Sequence, residues 1–353
     1  MAIRVLIVDD SALMRQMLTE ILSADPAIEV VGTAPDPLVA RERIKALSPD
    51  VLTLDIEMPV MDGLSFLEKL MALRPMPVVV VSTLTRKGAD AAVRALELGA
   101  IDSVGKPLID LRTGMAELSA ELIGKVKAAA MARPRASARA RVSERPLVAD
   151  PSLSTAGRIV AIGASTGGVE ALQSVIGRLP AGAPAVLVAQ HMPAGFTSSF
   201  ARRLDAQCAV SVMEATDGRR VLPGHVYIAP GARHLELVRS GAHYVCRLHE
   251  GPAVSGHRPS VDVLFHSVAV AAGRNAIGII MTGMGRDGAD GLLAMRKAGA
   301  STFGQSEASC LIYGMPRAAM LAGAVETERP LDRLAEEIVT VRRCTTAGVA
   351  AAH

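Results

Sequence analysis

From Ile3 onward the chain alternates short β-branched apolar runs with stretches whose apolar positions recur every three to four residues. Runs at Ile3–Val8, Ile28–Gly32, Val51–Leu54, Val78–Val81 and Ile101–Val104 have the length and composition of buried strands. Between them the helical period holds over Ala12 to Leu22 and Lys87 to Leu98, and a fifth helix is expected from about Asp110. Five β-α units at this spacing predict a doubly wound parallel sheet of the flavodoxin-like order. The rhythm resumes at Ile159–Ile162, Ala185–Ala189 and Ala276–Met281, which predicts a second α/β domain. Between Val221 and Glu250 it gives way to short strands, and Ser240-Gly241 marks an inserted β-hairpin.

Charge locates the break. From Lys125 to Arg145 seven basic residues stand against Glu144 alone, in a segment made largely of Ala, Ser, Pro and Val. The whole chain carries a formal charge of only +3, so this basicity is assigned to the connector and not to either folded unit. The expected division is a first domain over 1–127, a flexible linker over 128–156, a second domain over 157–342 and a tail over 343–353. Aromatic residues make up 2% of the chain and Trp is absent, which leaves little material for a base-stacking platform. No basic helix-turn-helix pattern appears either, so no nucleic-acid partner is expected. Cys208, Cys246, Cys310 and Cys344 are too widely spaced for a zinc site or a disulfide framework. The first apolar run is too short for a signal peptide or a membrane span, and a cytoplasmic protein without membrane insertion is expected.

The strand ends carry the chemistry. In a sheet of order 2-1-3-4-5 the first and third strands are neighbours, so Asp9, Asp10 and Asp55 converge at the switch-point crevice. Three carboxylates this close call for a divalent cation such as Mg2+. Lys106, before Pro107, faces the same crevice as a charge able to hold a phosphoryl oxygen, and Ser82 offers a hydroxyl. In the second domain Gly163-Ala-Ser165-Thr-Gly167 follows a strand and precedes a helical stretch, the pattern of a nucleophile elbow. A serine needs a base. His191 ends the next strand and leads over His257, while Asp287, in Thr282-Gly-Met-Gly-Arg-Asp287, is the candidate orienting acid, with Asp262 and Asp290 as competitors.

The runs VLIVDDSALMR, LDIEMPVMDGL, VVVVSTLT and GAIDSVGKP resemble the receiver domain of two-component response regulators. That resemblance implies Asp55 as phosphoacceptor, Asp9 and Asp10 as Mg2+ ligands with the Glu57 backbone carbonyl, Ser82 as switch hydroxyl and Lys106 as phosphate-pairing cation. Many receivers carry an aromatic ring where Ser103 stands here, so ring-rotation switching is not expected. IGASTGG, AQHMPAGFT, HRPSVDVLF and MTGMGRDGA resemble the catalytic domain of the chemotaxis protein-glutamate methylesterases, the CheB family. This second resemblance implies a triad of Ser165, His191 and Asp287 that hydrolyses glutamate γ-methyl esters on chemoreceptor cytoplasmic helices, with deamidation of glutamines, under the control of a chemotaxis histidine kinase. No cofactor is expected for the hydrolysis. Oxyanion donors are expected at the backbone N–H groups of Thr166 and Gly167 or around Met284. A side chain on a helix requires a shallow groove, which the receiver is placed to cover. The competing readings are a regulator whose output is binding alone and a DNA-binding regulator.

Overall fold

The computed structural model describes residues 2–58, 62–106, 114–132, 147 and 157–340. In the N-terminal domain β1 (Ile3–Val8), α1 (Ala12–Ser23), β2 (Ile28–Ala34), α2 (Pro37–Leu47), β3 (Val51–Asp55), α3 (Gly63–Leu73), β4 (Val78–Ser82), α4 (Arg86–Glu97), β5 (Asp102–Gly105) and α5 (Gly114–Met131) follow one another. The strands pair in parallel in the order β2-β1-β3-β4-β5. Every residue of β3 and β4 is buried, as a sheet covered by helices on both faces requires. The helices begin where short polar side chains cap them: Ser11 accepts the Met14 N–H and Asp36 the N–H groups of Leu38 and Val39.

The C-terminal domain runs β6 (Ile159–Ala164), α6 (Gly168–Ile176), β7 (Ala185–Gln190), α7 (Phe196–Asp205), β8 (Ser211–Glu214), β9 (His225–Ile228), β10 (His234–Ser240), β11 (His243–His249), α8 (Val261–Ala272), β12 (Ala276–Ile280), α9 (Ala289–Lys297), β13 (Ser301–Gln305), α10 (Met315–Leu321), β14 (Thr327–Arg329) and α11 (Leu331–Val339). Seven strands form a parallel sheet in the order β14-β13-β12-β6-β7-β9-β8. β10 and β11 form the expected hairpin as a separate two-stranded sheet, turning through Gly241 at φ +60°. β9, which lies in the segment read as hairpin, instead joins the main sheet.

Two basic residues assigned to the connector belong elsewhere. α5 continues to Met131, past the expected boundary at 127, so Lys125 and Lys127 are helical. Lys127 pairs with Asp25 of the same domain, and Lys125 lies half-buried among Asp102, Glu121 and the Ser103 carbonyl. Apart from 128–132 and Leu147, the expected linker lies outside the described residues, as does the expected tail.

The two domains pack on each other. α4 lies against α6 and α7, and its Ala89, Ala92, Val93 and Leu96 join one apolar cluster with Val169, Leu172, Phe196 and Phe200. Ion pairs from Arg202 to Asp90 and from Arg203 to Glu97 flank this seam. A second contact brings Leu311 and Ile312 into the core around Val104 and Leu122.

Candidate active site

The central strands of the C-terminal sheet set the geometry. β6 lies between β12 and β7, so the chain turns to opposite sides after β6 and opens a switch-point crevice at the strands' carboxyl ends. Ser165 follows β6, His191 follows β7 and Asp287 stands in the loop after β12. Backbone bonds fix their level: His191 N–H donates to Ala164 O at 3.1 Å and Ser165 N–H to Thr282 O at 3.0 Å. All three therefore sit at one carboxyl edge of the sheet, although no hydrogen bond joins Ser165 Oγ to His191.

The turn at Ser165 differs from a strained elbow. Ser165 is not among the non-glycine residues with positive φ, and Gly167 at φ +75° makes the reversal. Small size is needed around it. A Cβ at Gly168 would lie 2.0 Å from Gln190 Oε1, and one at Gly283 would lie 2.7 Å from Ser165 Cβ. Gly168 therefore lets the turn after β6 pack on the end of β7, and Gly283 lets the loop after β12 approach Ser165.

His191 Nε2 lies 2.8 Å from Asp287 Oδ2, while Nδ1 is buried without a hydrogen-bond partner among the described residues. Pairing with a carboxylate puts the ring proton on Nε2 and leaves the Nδ1 lone pair free. Asp287 is held at the N-terminus of α8: it accepts from Ser260 Oγ at 2.8 Å, Val261 N–H at 2.7 Å and Asp262 N–H at 3.1 Å. Burial would raise its carboxyl, but His191 and the two N–H groups outweigh burial and lower it to about 2. Asp262 bonds Gly291 N–H, and Asp290 is exposed and paired with Arg286, so neither competes for His191. The backbone N–H groups of Thr166, Gly167 and Met284 donate to nothing among the described residues. Ser260 and the α8 terminus were not read from the sequence, although Ser260 before an apolar helical run is an N-cap signal.

Ser165 is only 8% exposed, and the N-terminal domain lies beside it. Thr166, the next residue, donates its hydroxyl to Asp102 Oδ2 of β5 at 2.6 Å. Nothing in the sequence pointed to this pair.

In the N-terminal domain the oxygens of Asp9, Asp10 and Asp55 lie within 4.8 Å of one another. Lys106 Nζ donates to Asp55 Oδ2 at 2.7 Å and pairs with Asp9 Oδ2 at 3.0 Å. Burial and the Asp55 charge raise the Asp9 carboxyl against the pull of Lys106, and the carboxylates raise Lys106 against its burial. Glu57 N–H donates to Asp55 Oδ1, and its carboxylate accepts from Thr83. Ser82 is fully buried and donates to Gly88 O at 3.1 Å, in the first turn of α4.

Family models match these two sites: the response regulator receiver domain over residues 5–117 and the CheB methylesterase over residues 160–338. The chain is 58% identical over 338 residues, 96% of each chain, to a protein-glutamate methylesterase/protein-glutamine glutaminase of Bordetella avium. The chain belongs to the CheB methylesterase family. Another protein of that name, from Salmonella typhimurium, is 58% identical over 337 residues and 96% of each chain. The crystal structure of the Thermotoga maritima CheB methylesterase catalytic domain shares the fold of the C-terminal domain, with a TM-score of 0.51 and 36% identity over 52% of this chain and 98% of that one. As a CheB family member the chain is thus a receiver-regulated methylesterase, with both domains built on parallel α/β sheets. No described helix is long and apolar enough to cross a membrane.

Proposed function

We propose that this protein removes methyl groups from glutamate γ-methyl esters on the cytoplasmic helices of chemoreceptors, releases methanol, and deamidates glutamines there. One observation carries the chemistry: His191 is bonded through Nε2 to a carboxylate that stays ionised, and its Nδ1 is held without a partner at the strand end beside Ser165.

Ser165 Oγ attacks the ester carbonyl carbon while its proton passes to His191 Nδ1. Asp287 fixes the ring and stabilises the imidazolium. The carbonyl oxygen gains the negative charge and takes the free N–H groups of Thr166, Gly167 and Met284. As the C–O bond breaks, His191 returns the proton to the methoxide leaving group. Water then repeats the sequence on the acyl-enzyme, leaving glutamate and a restored Ser165. With glutamine the leaving group is ammonia.

In the receiver Asp55 accepts the phosphoryl group from a chemotaxis histidine kinase. The donor set fits Mg2+: three converging carboxylates are hard oxygen ligands, and a single ammonium, Lys106, stands against them. Asp9, Asp10, Asp55 and the Glu57 carbonyl would hold the ion, which when bound neutralises charge on the transferring group. Lys106 pairs the phosphoryl oxygens.

The unphosphorylated receiver keeps the hydrolase shut. α4 covers α6 and α7, and Asp102 ties up the residue after the nucleophile. Phosphorylation offers the Ser82 hydroxyl a charged acceptor, and taking it releases the carbonyl of Gly88 in α4.

The test is Ser165→Ala. Methanol release from methylated receptors should fall by about 10^4- to 10^6-fold with thermal melting unchanged. Retention of a tenth of the activity would remove Ser165 from the mechanism.

A further inference from the structure

His191 has one side-chain hydrogen bond, at Nε2, and that bond does not define the plane of its ring. An imidazole held at Cβ and Nε2 can still rock about the line joining them, which swings Nδ1 away from the hydroxyl it must reach. Nδ1 itself has no partner among the described residues to stop this. What faces the ring is His257, whose ring centroid lies 3.7 Å away with 15° between the planes.

The segment that presents His257 is braced. Val254 and His257 exchange two backbone bonds, at 3.1 and 2.9 Å, around a tight turn in which Ser255 and Gly256 both have positive φ, +53° and +80°. Ser255 is one of three non-glycine residues with positive φ among the described residues, and Ala232 at +66° is another. Ala232 N–H donates to Arg258 O at 3.1 Å, so both left-handed residues hold this one loop. The fully buried His234 ties its two ends: Nε2 bonds Pro252 O at 3.0 Å and Nδ1 accepts Ser260 N–H at 3.2 Å. Backbone of this kind persists only where the surroundings enforce it.

We propose that His257 is a positioning residue, whose ring, stacked on His191, holds the imidazole plane so that Nδ1 is aimed at Ser165 Oγ. The inference rests on the serine mechanism above. Burial and the neighbouring His191 lower His257 to about 4, so it is neutral at neutral pH and adds no charge against the imidazolium formed during attack. His191 faces it, and the other charges that act on it are those of Asp287 and, from the receiver, Lys125. A flat, uncharged face is what the stack requires, and the ring nitrogens are not essential to it.

Three variants of the full-length, phosphodonor-activated protein test this. His257→Phe keeps the flat face and should retain kcat to within about 3-fold. His257→Leu fills the same space without a parallel face, and His257→Ala empties it; both should lower kcat by about 10- to 100-fold while KM changes less than about 2-fold. The rate of Ser165 labelling by a fluorophosphonate should follow kcat, and thermal melting identifies any variant that does not fold. Equal activity in the Phe and Leu variants, or wild-type kcat in His257→Leu, overturns the proposal. Failure of the underlying mechanism shows separately, as turnover in Ser165→Ala.

Discussion

Replacing Asp102 with alanine removes the acceptor that binds the Thr166 hydroxyl to the receiver, and the structure sets the size of the effect. The bond is buried, 2.6 Å long and made to a carboxylate. A hydrogen bond to a charged group contributes about 1.5–3 kcal/mol net. If that energy favours the closed arrangement, its loss moves the closed-to-open equilibrium by roughly 10- to 100-fold, at about 1.4 kcal/mol per factor of ten. Esterase activity without phosphodonor should rise by about that factor, up to the ceiling of a fully open enzyme. Lys125 loses one partner but keeps Glu121 at 2.7 Å and the Ser103 carbonyl at 2.6 Å, so no buried charge is orphaned and the receiver still folds. Asp102→Asn retains a neutral acceptor worth about 0.5–1.5 kcal/mol, and its basal rate should fall between those of the alanine variant and the wild type. The assay is methanol release from methylated receptor membranes without phosphodonor, with thermal melting in parallel. A folded Asp102→Ala protein with the wild-type basal rate and the wild-type degree of stimulation would refute the argument.

Deleting residues 1 to about 145 should raise basal activity, and Asp55→Asn should abolish stimulation by a phosphodonor; a truncated enzyme no faster than the unphosphorylated chain would argue against occlusion. Ser82→Ala should still accept phosphate but respond weakly, whereas Ser103→Ala should respond normally, and stimulated demethylation with phosphorylation monitored alongside ranks the two. Asp287 has its carboxyl below the unfolded value, at about 2, so its stabilisation is complete above about pH 4 and is lost as pH falls toward 2. Asp287→Asn should therefore be less stable than the wild type by about 2 kcal/mol at pH 7, with the gap narrowing below pH 4. Denaturant unfolding at pH 7 and pH 3 measures it, and a constant gap would count against the assignment.

Legibility in the sequence followed burial. β6, β7 and β12 are buried at every residue, so they appear as continuous apolar runs, and the residues after them were found with them. β13 is as deep in the sheet but reads Ser-Thr-Phe-Gly-Gln, because its polar side chains are satisfied internally: Thr302 donates to Ala324 O and Gln305 accepts Thr282 N–H. No apolar count finds such a strand. The linker reading overreached for a related reason, since Lys125 and Lys127 find partners only once α5 packs. The contacts around the triad were missed because they join distant segments. Ser260 meets Asp287 across 27 positions and Asp102 meets Thr166 across 64, and neither spacing carries a local pattern.

One strand joins the two sites. β5 opens at Asp102, bonded to Thr166, and ends at Gly105, beside the lysine that holds Asp55 and Asp9. At about 3.3 Å per residue, Asp102 and Lys106 lie roughly 13 Å apart along a strand paired with β4. Lys106 is already bonded to Asp55 before any phosphate arrives, so its displacement on phosphorylation is small. On the proposed mechanism Ser82 instead exchanges Gly88 O for a phosphoryl oxygen, which would free a carbonyl in the first turn of α4. α4 carries the larger apolar seam against α6 and α7, while β5 carries the polar tie to Thr166 and, through Val104, part of the smaller apolar contact. On the proposed mechanism the change at Gly88 therefore acts on the larger interface, and the tie at Asp102 is the smaller restraint. With Ser103 in place of an aromatic ring, no bulky side chain on β5 has to be accommodated in either state.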